Sequence, residues 1–322
     1  MKNELDESYC LFGAQTLLKR LRDLIQEIDG VRQAEDIEHL HRMRVASRRI
    51  RSTLALFEEC FPQKMVKTWR KQMRRVTRTL GDARDADVQI DFLETFLDSL
   101  EEARYRAGIK RLLLRIRQQR EGLQRKVITV MDRLEASDVL ENIEETLRQI
   151  RIHGRLNQVD VHTSLVYQQA CLAISLKLDE MLAYEPYVRQ PERVEELHAM
   201  RIAAKRLRYT IEVFEPLYHE ELKSSRQVVR EVQTILGDIH DYDVWVEYLP
   251  QFLEEERVRT LEYFGHTRPL NLLKAGILYL QQECQQRRDQ RYKEFVEFWE
   301  ELQHQAVWEN LGQILHARRQ DK

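Results

Sequence analysis

One basic stretch occurs twice in this chain, and its repetition limits the folds that the chain can adopt. HRMRVASRRIRSTLALF begins at His41, and HAMRIAAKRLRYTIEVF begins at His198, 157 positions later. LGDARDADV from Leu80 returns as LGDIHDYDV from Leu236, at an offset of 156. Because the two offsets differ by one residue, the segment between the matched stretches has nearly the same length in both copies. The chain is therefore built from one structural unit used twice.

Both copies of the unit are expected to be helical. Apolar residues recur at helical spacing in nearly every segment. With 10 Gly and 6 Pro in 322 residues, the chain has few of the turn residues that a many-stranded sheet needs. The 43% of hydrophobic residues is enough to bury a core. We predict about four long helices in each of two homologous repeats, 1–155 and 156–322. The match of GIKRLLL from Gly108 to GILYLQQ from Gly276 places about 12 extra residues in the second repeat.

Helical geometry puts the apolar and basic residues of the doubled stretch on opposite faces. In the first copy, Met43 and Ile50 lie on one face, whereas Arg44, Arg48 and Arg51 lie on the other. The second copy gives the same arrangement. Like charges three or four residues apart destabilise a helix by about 0.2–0.5 kcal/mol per pair. A cationic ridge that occurs twice in spite of this repulsion indicates binding of a polyanion, because a solvated face would more readily interleave acidic residues.

The net charge, the cysteines and the N-terminal sequence indicate the expected cellular compartment. The 52 basic and 54 acidic residues nearly cancel, so the placement of charge matters more than its sum. Cys10, Cys60, Cys171 and Cys284 lie far apart without CxxC spacing, which predicts buried thiols and neither a zinc site nor a disulfide framework. The N-terminus lacks an apolar signal core, and no stretch reaches the roughly 18 apolar residues that span a bilayer. We expect a cytoplasmic protein without a membrane partner.

The carboxylates of the second repeated motif admit several interpretations. They are Asp82, Asp85, Asp87, Asp238, Asp241 and Asp243. Clustered carboxylates suit Mg²⁺ or Ca²⁺. A glycine followed by aspartate also fits a helix break with an N-cap and an acidic first turn. We favour a third role, in which the carboxylates orient arginine side chains and reduce their mutual repulsion, and we predict no metal site.

The pattern H-x-x-R-x-x-x-[RK]-R-x-R-x-x-x-x-x-F, followed by L-G-D-x-x-D-x-D-V, resembles the CHAD family of histidine-bearing α-helical domains. The resemblance spans nearly the whole chain, 1–322. It implies an all-α fold of two homologous four-helix bundles related by a pseudo-twofold axis, with a basic central cleft or pore. It also implies binding of inorganic polyphosphate, an association with polyphosphate granules and no cofactor. Some members are fused to a triphosphatase-type tunnel domain, whose ExExK signature is absent here. We therefore expect a stand-alone, non-enzymatic binding or targeting module.

Matching the family motif residue by residue gives a polyphosphate-binding set in each repeat. Arginine suits this ligand because its guanidinium makes two parallel hydrogen bonds to phosphate oxygens, whereas lysine acts as a point charge. The first repeat contributes Arg20, His41, Arg44, Arg48, Arg49, Arg51, Arg70, Arg74 and Arg84. The second repeat contributes Lys177, His198, Arg201, Lys205, Arg206, Arg208, Arg226, Arg230 and His240. Because Lys71 matches Gln227, we expect the first half to carry more of the cationic wall.

Other functions stay open at the level of the sequence. The aspartate clusters keep a metal-dependent polyphosphate hydrolase or a phosphate-transfer enzyme as the alternative. Arginine ridges also suit RNA or nucleotides, but the ridge lacks the interleaved aromatic residues that stack on bases, apart from Tyr209, so nucleic acid is not favoured. Glu38-x-x-His41 and Glu195-x-x-His198 have the spacing of di-iron bundles, but they face away from the apolar side. The sequence gives no prediction of oligomeric state.

Overall fold

A computed structural model describes residues 6–320, with side chains through residue 317, and these residues form helices joined by short turns. The first half contains α1 Glu7–Ile25, α2 Ile28–Gln33, α3 Ile37–Leu56, α4 Gln63–Asp98, α5 Ala103–Glu135 and α6 Val139–Leu156. The second half contains α7 Ser164–Leu182, α8 Val194–Phe214, α9 Lys223–Phe264, α10 Asn271–His304 and α11 Val307–Gln320. Single 3₁₀ turns lie at Glu58–Cys60, Glu185–Tyr187, Glu215–Leu217 and Arg268–Leu270. The prediction of an all-α fold is confirmed.

Within residues 6–320, each half has five long helices, where four were predicted. The additional helix, α6 or α11, packs against the first helix of its own half, α1 or α7. It does so through buried leucines such as Leu147 in α6 and Leu311 in α11. In the first half, α5 and α6 are separated only at 136–138, where the sequence has neither Gly nor Pro. The helical spacing therefore predicted that these residues are helical, but it did not predict the boundary between α5 and α6.

The two halves share one apolar core. Phe12 of α1 stacks on Phe214 of α8 with ring centroids 5.8 Å apart, and Phe57 lies 6.0 Å from the same ring. Contacts between the halves also join α1 to α7, α3 to α8 and α5 to α10. In each of these three pairs, a helix of the first half contacts the helix that holds the matching place in the second half.

Helices α5 and α10 cross at two glycines that occupy matched positions, Gly108 and Gly276. A Cβ on Gly108 would lie 2.1 Å from the carbonyl oxygen of Leu273, and one on Gly276 would lie 2.0 Å from that of Tyr105. Beside the crossing, the rings of Tyr105 and Tyr279 stack with centroids 4.2 Å apart. Glycine is required at both positions because any side chain would collide with the backbone of the other helix.

Two of the four cysteines are bonded to each other. Cys10 of α1 and Cys60 of the turn after α3 form a disulfide, with their Cα atoms 5.2 Å apart. The prediction of four free thiols was therefore wrong for this pair, since a separation of 50 residues carries no sequence signal that the two cysteines meet. Cys171 and Cys284 are free and buried, and burial raises the pKa of Cys284 to about 12. None of the described helices is long and apolar enough to cross a membrane.

Candidate functional site

A groove of about 1870 Å³ is lined by residues from both halves. Helices α3 and α4 form one wall, and helices α7, α8 and α9 form the other. Its cationic lining residues are Arg44, Arg48, Arg51, Lys67, Arg70, Lys71, Arg74, Lys177, Arg201, Lys205 and Arg206, with His240 beside them. Its carboxylates are Glu58, Asp85, Asp238 and Asp241. Eleven lysines and arginines against four carboxylates make this a strongly cationic surface in a chain whose overall charge is −2.

The groove gathers ten of the eighteen residues that the sequence nominated for binding. They are Arg44, Arg48, Arg51, Arg70, Arg74, Lys177, Arg201, Lys205, Arg206 and His240. The remaining eight lie outside this lining, namely Arg20, His41, Arg49, Arg84, His198, Arg208, Arg226 and Arg230. Sequence reasoning did not nominate Lys67, and it noted Lys71 only as an asymmetric position, yet both line the groove.

Arg20 is buried and binds the protein's own backbone. Only 7% of the residue is exposed, and its Nη1 donates to the carbonyl oxygen of Arg49 at 2.8 Å and to Oγ1 of Thr53. Burial lowers its pKa to about 10. Its guanidinium therefore fixes α1 against α3, while the matched Lys177 on α7 lines the groove and pairs with Glu180 at 2.5 Å.

Two further nominated arginines, Arg49 and Arg208, bind Glu212 and do not line the groove. The Glu212 carboxylate, 7% exposed, accepts hydrogen bonds from Arg49 Nε at 3.0 Å and from Arg208 Nη1 at 2.6 Å. Arg49 belongs to α3 and Glu212 to α8, so this bridge connects the two halves. Next to it, the Tyr209 ring lies 4.6 Å from the guanidinium of Arg208 and 5.5 Å from that of Arg48. The contact with the Tyr209 ring thereby holds Arg48 at the groove wall.

Lys205 lies where the cations of the two halves meet. Burial lowers its pKa to about 7, and Arg48, Arg201, Arg44 and Arg206 add to the effect. Burial and the neighbouring cations therefore both disfavour the charged form of the Lys205 ammonium.

The surroundings of the histidines that begin the doubled stretches favour their neutral form. Burial lowers the pKa of both His41 and His198, and neighbouring arginines reinforce the shift. In each, Nδ1 is buried and has no hydrogen-bond partner among the residues that the structure describes. His198 also lies against His240, with ring centroids 4.0 Å apart, and burial together with Arg201 lowers the pKa of His240 to about 4. In the first half, Arg84 takes the place of His240, so only the second half has this histidine pair.

The repeated Leu-Gly-Asp motif lies in the middle of unbroken helices. Both α4 and α9 continue through it, so the helix-break interpretation was wrong. A Cβ on Gly81 would lie 3.6 Å from Nε of Arg44, and one on Gly237 would lie 3.5 Å from Nε of Arg201. Each glycine thus lies beneath an arginine side chain of the groove, at an ordinary contact distance, and costs its helix about 1 kcal/mol of intrinsic propensity relative to alanine.

Asp85 is the carboxylate of the motif that orients an arginine of the groove. It accepts a hydrogen bond from Nη2 of Arg44 at 3.1 Å. Asp241 lines the same groove, where desolvation by the surrounding protein, reinforced by Asp238 and Asp85, raises its pKa to about 6. Asp82 is exposed and lies outside the lining.

The other motif carboxylates bind arginines that sequence reasoning missed. Asp87 pairs with Arg120 at 2.6 Å, and Asp243 pairs with Arg288 at 3.0 Å. Arg120 and Arg288 are themselves matched positions of α5 and α10, at the same offset of 168 as the two crossing glycines, and that repetition could have revealed them. Asp238 pairs with Arg291 at 2.6 Å. These pairs attach α5 to α4 and α10 to α9. Among the described residues, no group of three or more His, Cys, Asp or Glu is placed to hold a metal ion.

Comparison with known proteins places these elements in a family. The model of the CHAD domain matches residues 15–250. This chain belongs to the CHAD family. The match includes both copies of the basic stretch and of the Leu-Gly-Asp motif, and hence the CHAD segments that form the groove walls.

Similar proteins and structures agree with this membership. Uncharacterized proteins from two strains of Mycobacterium tuberculosis are 27% identical to this CHAD protein over 239 residues. That alignment covers 69% of the chain but 42% of the relatives' own length. The crystal structure of the CHAD domain from the plant Ricinus communis has a TM-score of 0.58 at 22% identity, covering 83% of this chain and 91% of that one. PptA from Streptomyces chartreusis has a TM-score of 0.60 at 12% identity, covering 90% and 98%. At these identities the two structures show a shared fold.

Proposed function

We propose that this CHAD protein binds inorganic polyphosphate in the groove, as a binding or targeting module without catalytic activity of its own. The observation that carries the proposal is the presence of eleven lysines and arginines along one open groove with four carboxylates. The CHAD family is associated with binding of polyphosphate and triphosphate, which supports the same ligand. We place this activity in the cytoplasm, at polyphosphate granules.

We further propose that the whole chain, 1–322, is one CHAD domain whose repeats, 1–155 and 156–322, are related by a pseudo-twofold axis. Three pairs of matched helices contact each other across the halves, as such an axis requires. The crossing of Gly108 and Gly276 would lie on this axis. Under this arrangement, each basic helix faces the other, and the space between them is the basic cleft.

The chemistry of the groove suits a polymer of phosphate. Polyphosphate carries about one negative charge per unit and has no bases to read, so charge density and bidentate hydrogen bonds must provide its recognition. Arg51 and Arg74 have no ion pair within the described structure that an anion would have to displace, and Arg48 is held by Tyr209. The ligand would also give Lys205 an anionic partner, which it lacks within the described structure.

The proposal is tested by calorimetric titration of long-chain polyphosphate into the protein at about 50 and 300 mM salt. We expect affinity to fall steeply with salt, because binding releases counterions from the polymer. The Arg48→Glu/Lys205→Glu variant should lose binding, whereas Lys110→Glu/Lys126→Glu, with the same change of charge on exposed residues of α5, should retain it within about threefold.

Three results would contradict the proposal. Affinity that does not change with salt would exclude an electrostatic groove. Binding retained by the Arg48→Glu/Lys205→Glu variant would place the ligand elsewhere. Release of phosphate from the polymer in the same mixture, abolished by this variant, would make the protein an enzyme.

A further inference from the structure

Helix α7 has an apolar outer face that nothing in the described structure covers. Leu165, Leu172 and Leu176 are 37%, 55% and 57% exposed. Their spacing of seven and four residues puts them on one side of the helix, opposite buried residues such as Ile174 and Met181. A helix that is apolar on both faces is normally covered on both faces.

The fold does not require leucine at these positions. In α1, the matching helix of the first half, Gln15 and Lys19 occupy the places of Leu172 and Leu176, at the offset of 157. Gln15 and Lys19 are also exposed. The same surface position is therefore polar in one half and apolar in the other, so the leucines of α7 serve something outside the helical core.

These leucines border the cationic groove. Leu172 and Leu176 line it, as do Val88 of α4 and Val244 of α9, which are 43% and 40% exposed. Lys177, next to Leu176 in sequence, lines it too. Polyphosphate has no apolar surface and gains nothing from these side chains. An apolar strip beside eleven lysines and arginines fits a ligand that has both an apolar face and many carboxylates.

We infer that the groove also binds an acidic amphipathic helix of a partner protein, whose apolar side packs on Leu165, Leu172 and Leu176. Its carboxylates would contact the lysines and arginines of the groove, so the helix and polyphosphate would compete. The three leucines span about 17 Å along α7, or about three turns, which is the length of a short helix laid in a groove. The inference rests on the proposed function only in treating the groove as open to anions.

Charge and shape favour this occupant over two others. A second copy of the chain in a symmetric interface would bring the same cations against each other at the edge of the strip, which is unfavourable. A lipid bilayer is flat, whereas Leu172 and Leu176 lie on the wall of a recess between the two halves. A single acidic helix can enter the recess and place opposite charge on its cations.

The probe is a fluorescein-labelled helical peptide of about 18 residues, with leucine at heptad positions a and d and with glutamate and alanine elsewhere. The control peptide has glutamine in place of each leucine and therefore the same charge. By fluorescence anisotropy, the leucine peptide should bind the wild-type protein about tenfold more tightly than the control peptide. The Leu172→Gln/Leu176→Gln variant should lose most of this difference, and long-chain polyphosphate should displace the leucine peptide.

A matched variant and a second ligand separate this inference from the proposed function. Leu156→Gln/Leu272→Gln alters two leucines that are 76% and 71% exposed and lie outside the groove lining, and it should leave the peptide preference unchanged. Calorimetry with polyphosphate should give the same affinity for wild type and for Leu172→Gln/Leu176→Gln, which also shows that the variant is folded. Peptide binding without polyphosphate binding would sink the proposed function alone.

Four outcomes would overturn the inference. The two peptides may not differ in affinity for the wild type, or the Leu172→Gln/Leu176→Gln variant may keep the preference. Light scattering may show a dimer that this variant abolishes, which would assign the strip to a second copy. Sedimentation with vesicles of anionic phospholipid that depends on the same leucines would assign it to a lipid surface.

Discussion

At the scale of single residues, Lys205 shows that the cationic groove lowers the stability of the folded protein. Its ordinary pKa of 10.5 is lowered to about 7, first by burial and then by the four surrounding arginines. An ammonium with a depressed pKa is one that the folded protein holds unfavourably. Under the proposed function, a bound polyanion restores the charge that the free groove disfavours.

Binding of polyphosphate should therefore be coupled to proton uptake. A bound anion raises the pKa of Lys205, so affinity should fall as the pH rises above about 7, by up to tenfold per unit. Asp241 acts in the same direction as the pH rises above its pKa of about 6, because its deprotonation adds a negative charge to the groove. Calorimetry at pH 5.5, 7 and 8.5 measures this dependence. The Lys205→Arg variant should lose the fall in affinity above pH 7. If its affinity still falls with pH as steeply as that of the wild type, Lys205 is not the group responsible.

Replacing Lys205 should also stabilise the protein while weakening binding. Because the folded pKa lies below the unfolded one, the destabilisation grows as the pH falls from 10.5 to about 7 and is complete below that value. Lys205→Met should thus raise the melting temperature at pH 6 more than at pH 10. Lys177→Met removes a lysine that pairs with Glu180, and it should give no such gain. Equal melting temperatures for Lys205→Met and wild type at pH 6 would contradict this account.

The sequence identified the residues of the groove better than their individual contacts. Helical spacing was enough to select Arg44, Arg48 and Arg51, because these residues lie opposite the apolar face of their own helix. Matching to the family motif added Arg20 and Arg49, whose partners belong to other helices. No pattern within one helix shows that a buried carboxylate such as Glu212 will arrive from the opposite half.

At the scale of elements, long helices and close crossings define the scaffold. The repeated motifs fixed which helices correspond, and the helical class followed from spacing and from the scarcity of Gly and Pro. The unbroken course of α4 and α9 through Leu-Gly-Asp was not predictable from that motif. A glycine inside a helix and a glycine that ends one look alike in sequence, so the motif alone could not show that these helices continue.

The crossing of α5 and α10 predicts a large difference between two glycines. Gly276→Ala would bring a methyl group against the backbone of α5, so we expect a loss of stability of about 2 kcal/mol or more. Gly122→Ala, in the open middle of α5 with nothing within 4 Å, should be neutral or stabilising by up to about 1 kcal/mol. Urea denaturation of both variants measures the difference. Similar free energies of unfolding for the two variants would mean that the helices are not so close.

At the scale of the whole molecule, the two halves contribute unequally to the groove. The first half lines it with Lys67, Arg70, Lys71 and Arg74, whereas the lining of the second half omits the matched Arg226 and Arg230 and includes the leucines of α7. The sequence anticipated part of this difference from Lys71 and Gln227. It did not anticipate that matched arginines on α4 and α9 would lie in different surroundings, because that depends on how the two halves pack.

Matched substitutions in the two halves should therefore differ in effect. Arg70→Glu/Arg74→Glu reverses two charges on the groove wall, and we expect affinity for polyphosphate to fall by tenfold or more. Arg226→Glu/Arg230→Glu makes the same change outside the groove lining. It should lower affinity by no more than about threefold. The two titrations, run at one salt concentration, give the comparison, and equal losses would mean that the ligand contacts both walls alike.

The two halves that meet where α5 and α10 cross can change in sequence independently of each other. In a dimer of identical half-chains, every substitution appears on both sides of the interface at once. Here the matched halves belong to one polypeptide, so each codon affects one side alone. His240 can stand at the position matched by Arg84, and Leu176 at the position matched by Lys19, without any change at the crossing of α5 and α10. The two walls of the groove can therefore differ in sequence, whereas any side chain at Gly108 or Gly276 would disrupt the crossing that both halves share.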